Sequence, residues 1–371
     1  MKEYEQALLD ELQQKTITIK NNGIDVIFKP SPGEDRPGYL DPRELNIMKE
    51  HWAGNMQQEP PKEPIPMEVL IPIMREFMGF ANRNLNTVEI HTKYEELKES
   101  GNTVGLWRYY PRKSEKNRKR PAVVFIHGGG WIGGSVYTVE NFCRLLAELI
   151  DGVVFNVDYS LAPEKPYPNG LNDNYYAVKH VYDHAEEYGI DPDKITVAGD
   201  SAGGNYTAAV CLKAREEGTP KIALQALIYP GVAIGDASVP GYEWSEDLFE
   251  ISEEQKEIIK GCLMLGRPAK DASSDPMSGC YITNKEDMYN PYVSPMMAKS
   301  HADLPRALLF GAEFDGLRIQ TEFYAKQLSD DGVPVTTFRY KGMTHAFIDK
   351  IGIVPQAEDL CIEIAKAIKE L

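Results

Sequence analysis

The sequence has few cysteines and no long apolar run. Its five cysteines are odd in number, widely spaced and without a C-x-x-C pair, which argues against a disulfide framework and against a zinc site. No stretch reaches about 18 uninterrupted apolar residues, so no transmembrane helix is expected. The N-terminus also has no apolar signal core. We therefore expect a cytoplasmic protein with reduced thiols.

Positive charge is outnumbered, with 40 Lys and Arg residues against 56 Asp and Glu residues. The formal net charge is -16, which argues against nucleic acid and anionic membrane surfaces as partners. The 371 residues are enough to bury a large core, and this length favours one large α/β domain with additions, or two domains.

The clearest motif is the pentapeptide Gly199–Gly203, which reads Gly-Asp-Ser-Ala-Gly. The apolar run Ile195–Ala198 before it is typical of a buried strand, and Asn205–Ala214 after it is typical of a helix. A G-x-S-x-G pattern between a strand and a helix predicts a nucleophilic serine, here Ser201. The alternative is a glycine-rich strand-to-helix loop without chemistry.

Strand and helix patterns alternate along most of the chain. This alternation predicts the α/β class, with a mostly parallel central sheet and helices on both faces. The predicted strands are Pro121–Ile126, Gly152–Asp158, Lys194–Ala198, Ile222–Tyr229, Arg306–Phe310 and Val335–Tyr340. The predicted helices, apart from the one after the pentapeptide, are Asn141–Ile150, Tyr175–Tyr188, Arg318–Asp330 and Gln356–Leu371.

Two segments do not follow the alternation. We expect residues 1–86 to form an N-terminal cap or lid segment, and residues 87–371 to form the α/β domain with a cap insertion at about 233–304. The apolar stretch Met67–Phe80 predicts a helix that is buried on several sides or covers a cavity. It is either a plain core helix or a lid helix that lines a substrate pocket.

A serine hydroxyl needs a base within hydrogen-bond reach and a group that orients the base. After a G-x-S-x-G turn the acid is expected first and the histidine second, each following a later strand. Asp315 and His345 occupy such positions, so the predicted catalytic residues are Ser201, Asp315 and His345. Glu313 is the alternative acid.

Acyl transfer also requires hydrogen-bond donors aimed at the developing oxyanion. The amide of Ala202 follows the nucleophile directly. His127-Gly128-Gly129-Gly130 follows a predicted strand, and glycine allows the backbone to approach a substrate closely. We therefore predict an oxyanion hole formed by the amides of Gly128, Gly129 and Ala202. The alternative for this glycine run is a flexible turn.

Taken together, these motifs resemble those of the hormone-sensitive-lipase-like family of α/β-hydrolase fold esterases. The resemblance runs from about Pro121 to the C-terminus. Two positions depart from it, since Ser160 stands where the family commonly has Arg and Ala346 where it commonly has Gly. The residues that carry it are His127-Gly128-Gly129-Gly130-Trp131, Tyr159–Glu164, Pro166-Tyr167-Pro168, Gly199–Gly204, Asp315–Arg318 and His345-Ala346-Phe347.

The resemblance implies an α/β-hydrolase fold with a helical cap, no cofactor and no metal. It also implies hydrolysis of small carboxylic esters with short acyl groups through a serine acyl-enzyme, and it suggests a homodimer. Two alternatives remain open at this point. One is an amidase, peptidase or lactonase that uses the same triad, and the other is a non-catalytic ligand-binding protein on the same scaffold.

Overall fold

The computed structural model describes residues 1–55, 65–98, 101–112, 119–235, 239–267 and 276–371. Parts of the predicted N-terminal segment (56–64) and of the predicted insertion (236–238 and 268–275) therefore lie outside the described residues. The described strands are β1 (Ile17–Asn21), β2 (Ile24–Lys29), β3 (Ile90–Leu97), β4 (Val104–Pro111), β5 (Arg120–Ile126), β6 (Val153–Asp158), β7 (Ile190–Asp200), β8 (Leu224–Ile228), β9 (Arg306–Phe314) and β10 (Val335–Thr344).

The helices include all those predicted from the alternation, with shifted ends. The segment Tyr175–Tyr188 is two helices rather than one. The described helices are α1 (Gln6–Gln14), α2 (Pro42–Asn55), α3 (Met67–Glu76), α4 (Glu140–Leu149), α5 (Asn169–Asp183), α6 (Ala185–Tyr188), α7 (Ala202–Glu217), α8 (Lys256–Cys262), α9 (Pro276–Tyr281), α10 (Arg318–Asp330) and α11 (Pro355–Lys369).

The described strands form one ten-stranded sheet in the order β1-β2-β10-β9-β8-β7-β5-β6-β4-β3. The pairs from β2 through to β6 are parallel, whereas β1 with β2, β4 with β6 and β3 with β4 are antiparallel. Most residues of the central strands are buried, as expected for parallel strands covered on both faces. The predicted fold class, an α/β-hydrolase fold with a mostly parallel sheet, is confirmed.

Two helical layers cover the sheet. Side chains of α4 and α11 pack against one face, around Phe125 and Phe310. Side chains of α5, α7 and α10 pack against the other face, around Val124 and Leu309. The carboxyl ends of β5, β7, β9 and β10 all lie at one edge of the sheet, because these strands are parallel. Residues that follow these strands are thereby brought together.

Part of the N-terminal segment belongs to the central sheet rather than to a cap. Residues 17–29 fall within the predicted cap segment 1–86, but they form a hairpin that extends the sheet through β10. Asn22 and Gly23 in its turn have φ of 49° and 85°, the positive values that a two-residue type I′ turn requires. The prediction that this stretch belongs to the cap was therefore wrong. The division of the chain into domains otherwise stays a prediction.

Among the described residues, no helix is both long and apolar enough to cross a membrane.

A buried ion pair ties α2 to the turn after β10. Glu44 and Lys350 both have fully buried side chains, and the Nζ of Lys350 lies 2.6 Å from Oε1 of Glu44. The same oxygen accepts a hydrogen bond from the Thr344 hydroxyl. Thr344 precedes His345, so the N-terminal segment supports the loop that carries the predicted base.

Replacing one member of this pair should destabilise the protein strongly. Lys350→Met leaves the Glu44 carboxylate buried without its cation, and such losses cost about 3–5 kcal/mol. Urea denaturation should show this decrease in the free energy of unfolding, and the double variant Lys350→Met/Glu44→Leu should recover most of it. Lys326→Met, which breaks an exposed pair with Asp330, is the control and should cost less than about 1 kcal/mol. Equal losses in the two single variants would contradict the assignment.

Candidate active site

Ser201 lies in a sharp turn between β7 and α7. Its backbone has φ 54° and ψ -117°, a region that L-residues occupy at a cost of about 1–3 kcal/mol. A Cβ on Gly203 would overlap the carbonyl oxygen of Ile126, and one on Gly199 would overlap that of Gly203. The two glycines are therefore sterically required. The turn holds the serine at the N-terminal, positive end of a 16-residue helix.

The structure brings Ser201, His345 and Asp315 together in one hydrogen-bonded chain. The Oγ of Ser201 lies 2.8 Å from Nε2 of His345, and Nδ1 of His345 lies 2.7 Å from Oδ2 of Asp315. Asp315 is fully buried, and its Oδ1 accepts a hydrogen bond from the amide of Leu317 at 2.9 Å. The aspartate thus fixes the Nδ1–H tautomer, which leaves Nε2 free to accept the serine proton.

Glu313, the alternative acid, has a different partner. Its Oε2 accepts a hydrogen bond from the amide of Gly342 at 2.7 Å. Burial raises the pKa of its carboxyl above the ordinary value, although the hydrogen bond from Gly342 opposes this. The structure therefore favours Asp315 as the group that orients the imidazole.

The glycine run after β5 requires one correction to the predicted oxyanion hole. The single amide N–H of Gly128 donates to Oδ1 of Asp200 at 2.8 Å, so it cannot also face a substrate oxygen. Within the described chain, no acceptor is recorded for the amides of Gly129, Gly130 and Ala202. Gly129 and Gly130 have φ of 127° and 60°, which glycine adopts without strain. We propose that these three amides form the oxyanion hole, with Gly130 in place of Gly128.

His127 stabilises the conformation of the glycine run that follows it. Its ring stacks on Tyr159 with centroids 4.3 Å apart, and its Nδ1–H donates to the carbonyl of Gly128 at 2.8 Å. The hydroxyl of Tyr159 donates to the carbonyl of His127 at 2.8 Å. Burial lowers the pKa of His127 to about 4, so this imidazole stays neutral near pH 7 and acts as a structural support rather than as a base.

A substitution at Gly129 tests the oxyanion assignment. A Cβ there would overlap the carbonyl oxygen of Gly133, so Gly129→Ala must displace the amide. We expect kcat to fall by about 10²–10³, as when one oxyanion donor is lost. Gly218→Ala is the matched control, because Gly218 also has positive φ but has open space around it. It should cost about 1 kcal/mol of stability and leave kcat unchanged. An unchanged kcat in Gly129→Ala would overturn the assignment.

A small cavity of about 180 Å³ opens onto Ser201 and His345. Both predicted cap segments contribute apolar groups to its wall: Met78 comes from the N-terminal segment, and Leu265 and Met277 come from the insertion. Its other lining residues are Gly79, Gly128, Gly129, Gly130, Gly134, Thr138, Asp200, Ala346 and Asp349. In the part of the chain that the structure describes, no group of three or more His, Cys, Asp or Glu side chains could hold a metal ion.

The apolar helix predicted over Met67–Phe80 is shorter than expected and less buried. α3 ends at Glu76, and Phe77 is 72% exposed, so burial on several sides was wrong for this residue. Met78, in contrast, lies against the cavity. Arg75 attaches α3 to the rim by donating to the carbonyls of Ile132 and Ala162 and to the carboxylate of Glu164.

Sequence reasoning missed two carboxyl groups in the cavity wall. Asp200 stands beside the nucleophile within the pentapeptide, where its interaction with the glycine run was not visible from spacing. Asp349 lies in a short 3-10 turn, Phe347–Lys350, just after the histidine. Its position within four residues of His345 is the only sequence signal that could have drawn attention to it.

Comparisons with known proteins agree with the fold described above. The α/β hydrolase fold family matches residues 123–349. An arylesterase of Saccharolobus solfataricus is 36% identical over 240 residues, which cover 65% of this chain and 71% of the relative. Esterase LipI of Mycobacterium tuberculosis is 32% identical over 258 residues, 69% of this chain and 74% of the relative.

A solved structure is similar to more of the chain than the residues that the family model matches. The hyperthermophilic esterase of Pyrobaculum calidifontis superposes with a TM-score of 0.71 at 31% identity, covering 90% of this chain and 98% of the esterase. The family match spans more than half of the chain and includes the strands that carry the candidate site. The chain belongs to the hormone-sensitive-lipase-like family of α/β-hydrolase fold esterases.

Proposed function

We propose that this chain hydrolyses carboxylic esters with short acyl groups through an acyl-enzyme on Ser201. The observation that carries the proposal is the unbroken hydrogen-bonded chain from Ser201 through His345 to Asp315 at the wall of a cavity. A non-catalytic ligand-binding protein would have no need to keep all three groups in this alignment.

Each residue has a distinct role in the proposed reaction. His345 takes the proton of Ser201 while the serine attacks the ester carbonyl. The amides of Gly129, Gly130 and Ala202 stabilise the negative charge that develops on the carbonyl oxygen. His345 then protonates the leaving alcohol and activates a water molecule for deacylation. Asp315 stabilises the imidazolium that forms in both steps.

Cavity size supports the short-acyl part of the proposal. The volume of about 180 Å³ is below the 300–1,000 Å³ that is common for small-molecule sites. The side chains of Met78, Leu265 and Met277 line it with apolar groups, which favour a hydrocarbon chain over a charged one.

Hydrolysis of matched substrates tests the proposal. We expect kcat/KM to be highest for 4-nitrophenyl acetate or butyrate and to fall by at least about tenfold for the decanoate, whose chain exceeds the cavity. 4-Nitroacetanilide, the matched amide, should react much more slowly than the acetate ester. A decanoate optimum would overturn the short-acyl part, an equal rate on the anilide would favour an amidase, and no turnover of any ester would favour a binding protein.

Two further features are part of the same proposal. Free thiols are found at Cys143, Cys211, Cys262 and Cys361, which supports a reducing compartment such as the cytoplasm. A homodimer is suggested by the family resemblance alone, and light scattering coupled to size-exclusion chromatography would detect it as a doubled mass.

A further inference from the structure

The cavity wall contains a carboxyl group that the proposed reaction does not use. Asp349 lines the cavity together with Ser201 and His345, yet the residue is only 7% exposed. Its Oδ1 is buried and has no hydrogen-bond partner among the residues that the structure describes. An unpaired buried polar atom costs about 1–3 kcal/mol, so its presence beside a nucleophile calls for an explanation.

The neighbouring cation, Lys350, acts on Asp349 electrostatically but forms no direct ion pair with it among the described residues. Lys350 directs its Nζ to Glu44 instead, at 2.6 Å. The charged groups that act on Asp349 are Asp200, at the end of β7, and Lys350, while the buried hydroxyl of Tyr229 also interacts with it electrostatically. Asp349 is therefore a buried carboxyl that interacts electrostatically with a second carboxyl in the lining of the same cavity.

The two carboxyl groups are not equivalent. Burial raises the pKa of Asp200 to about 6, while the hydrogen bond that it accepts from the amide of Gly128 stabilises its charged form. No described residue donates such a hydrogen bond to Asp349, and burial together with the Asp200 charge raises the pKa of Asp349 well above its usual value. The proton of the pair therefore belongs on Asp349. A neutral carboxyl can both donate and accept a hydrogen bond.

We propose that Asp349 is a specificity-determining residue that hydrogen-bonds a hydroxyl group of the substrate, so that the preferred substrates are hydroxylated short esters. A hydroxyl matches a neutral carboxyl because each group donates one hydrogen bond and accepts another. A substrate carboxylate would be repelled by Asp200. A substrate ammonium would have to lose its hydration between apolar groups such as Met277 and Leu265. The inference rests on the proposed ester hydrolysis.

Two matched ester pairs test it, one for each end of the substrate. Ethyl 3-hydroxybutyrate is compared with ethyl butyrate, and 2-hydroxyethyl butyrate with propyl butyrate. In one pair at least, we expect the hydroxylated ester to have the higher kcat/KM, by about ten- to a hundredfold. Asp349→Leu should abolish this preference while ethyl butyrate is still hydrolysed. Asp349→Asn, which can donate and accept, should keep part of it.

Stability gives a second readout. Because the folded-state pKa of Asp349 is raised, the native protein retains a proton that the unfolded chain releases above about pH 4. The wild type should therefore lose stability relative to Asp349→Asn as the pH rises from about 4. The melting temperature of Asp349→Asn should exceed that of the wild type at pH 8, and the difference should shrink toward pH 4. Asp193→Asn, at an exposed position, should change neither stability nor either ester ratio.

The possible failures are distinguishable. If the wild type hydrolyses none of the four esters, the proposed function itself fails. If it hydrolyses them without a hydroxyl preference, or with one that Asp349→Leu retains, only the inference is overturned. Ethyl 3-aminobutyrate serves as a further substrate. If the wild type prefers it to ethyl 3-hydroxybutyrate and ethyl butyrate, and Asp349→Leu loses this preference, the inference is also overturned, because the carboxyl would then bind a cation.

Discussion

Ser201→Ala is expected to lower kcat for 4-nitrophenyl acetate by about 10⁵–10⁶, because members of a catalytic triad act as a unit and the nucleophile cannot be replaced. The change removes one oxygen atom and leaves the strained turn, the glycines and the helix in place. A continuous or stopped assay of 4-nitrophenol release measures kcat, and the melting temperature checks that the variant is folded. We expect the melting temperature to stay within a few degrees of the wild type.

The matched control is Ser160→Ala, at the departure from the family pattern near the glycine run. Ser160 uses its backbone amide, not its hydroxyl, to bind Asp173, so its loss should leave kcat almost unchanged. If Ser201→Ala kept more than about a tenth of the wild-type kcat, Ser201 would not be the nucleophile.

Asp315→Asn is expected to lower kcat by about 10⁴. An asparagine can keep the position and accept the hydrogen bond from Leu317. Its amide can also present N–H to Nδ1 of His345, and this stabilises the tautomer that carries its proton on Nε2. That tautomer cannot accept the serine proton. The KM should change little, because Asp315 is fully buried and does not line the cavity.

Glu313→Gln serves as the control for this second prediction. Its amide oxygen can still accept from Gly342, as the carboxylate does at 2.7 Å. We expect kcat to remain within a few-fold of the wild type. If Glu313→Gln were the more damaging of the two changes, Glu313 would be the acid and the interaction of Asp315 with His345 would be incidental.

The placement of the three candidate catalytic residues could be predicted from the sequence because each follows a strand of one parallel sheet. Parallel strands deliver their carboxyl ends to one edge, so order and spacing were enough to bring Ser201, Asp315 and His345 together. The assignment of amides could not be predicted in the same way. Which N–H of the glycine run faces the cavity depends on the hydrogen bond between Gly128, after β5, and Asp200, at the end of β7. The spacing of residues in the sequence does not indicate this contact.

The N-terminal hairpin was missed although a local signal was present. Asn22-Gly23 lies between two short runs with β-branched residues, a pattern typical of a two-residue hairpin. The β1 side chains are largely exposed, so this edge strand lacks the apolar face by which a strand is usually detected. For Phe77 the error was the opposite one. Burial was predicted because the residue is apolar, but apolar residues are buried only on average. Asp349 had no sequence signal beyond its closeness to His345, since its significance lies in an Oδ1 that has no hydrogen-bond partner among the described residues.

Covalent trapping of the nucleophile tests most directly whether Ser201 forms an acyl-enzyme with His345 as base. The wild type is treated with diethyl 4-nitrophenyl phosphate, and intact-mass and peptide mass spectrometry are followed together with esterase activity. We predict one diethylphosphoryl group per chain on Ser201, in proportion to the activity lost. Ser201→Ala should not be labelled at this position, and His345→Ala should be labelled on Ser201 far more slowly than the wild type. Full labelling of Ser201 with activity retained, or inactivation with the adduct on another residue, would contradict it.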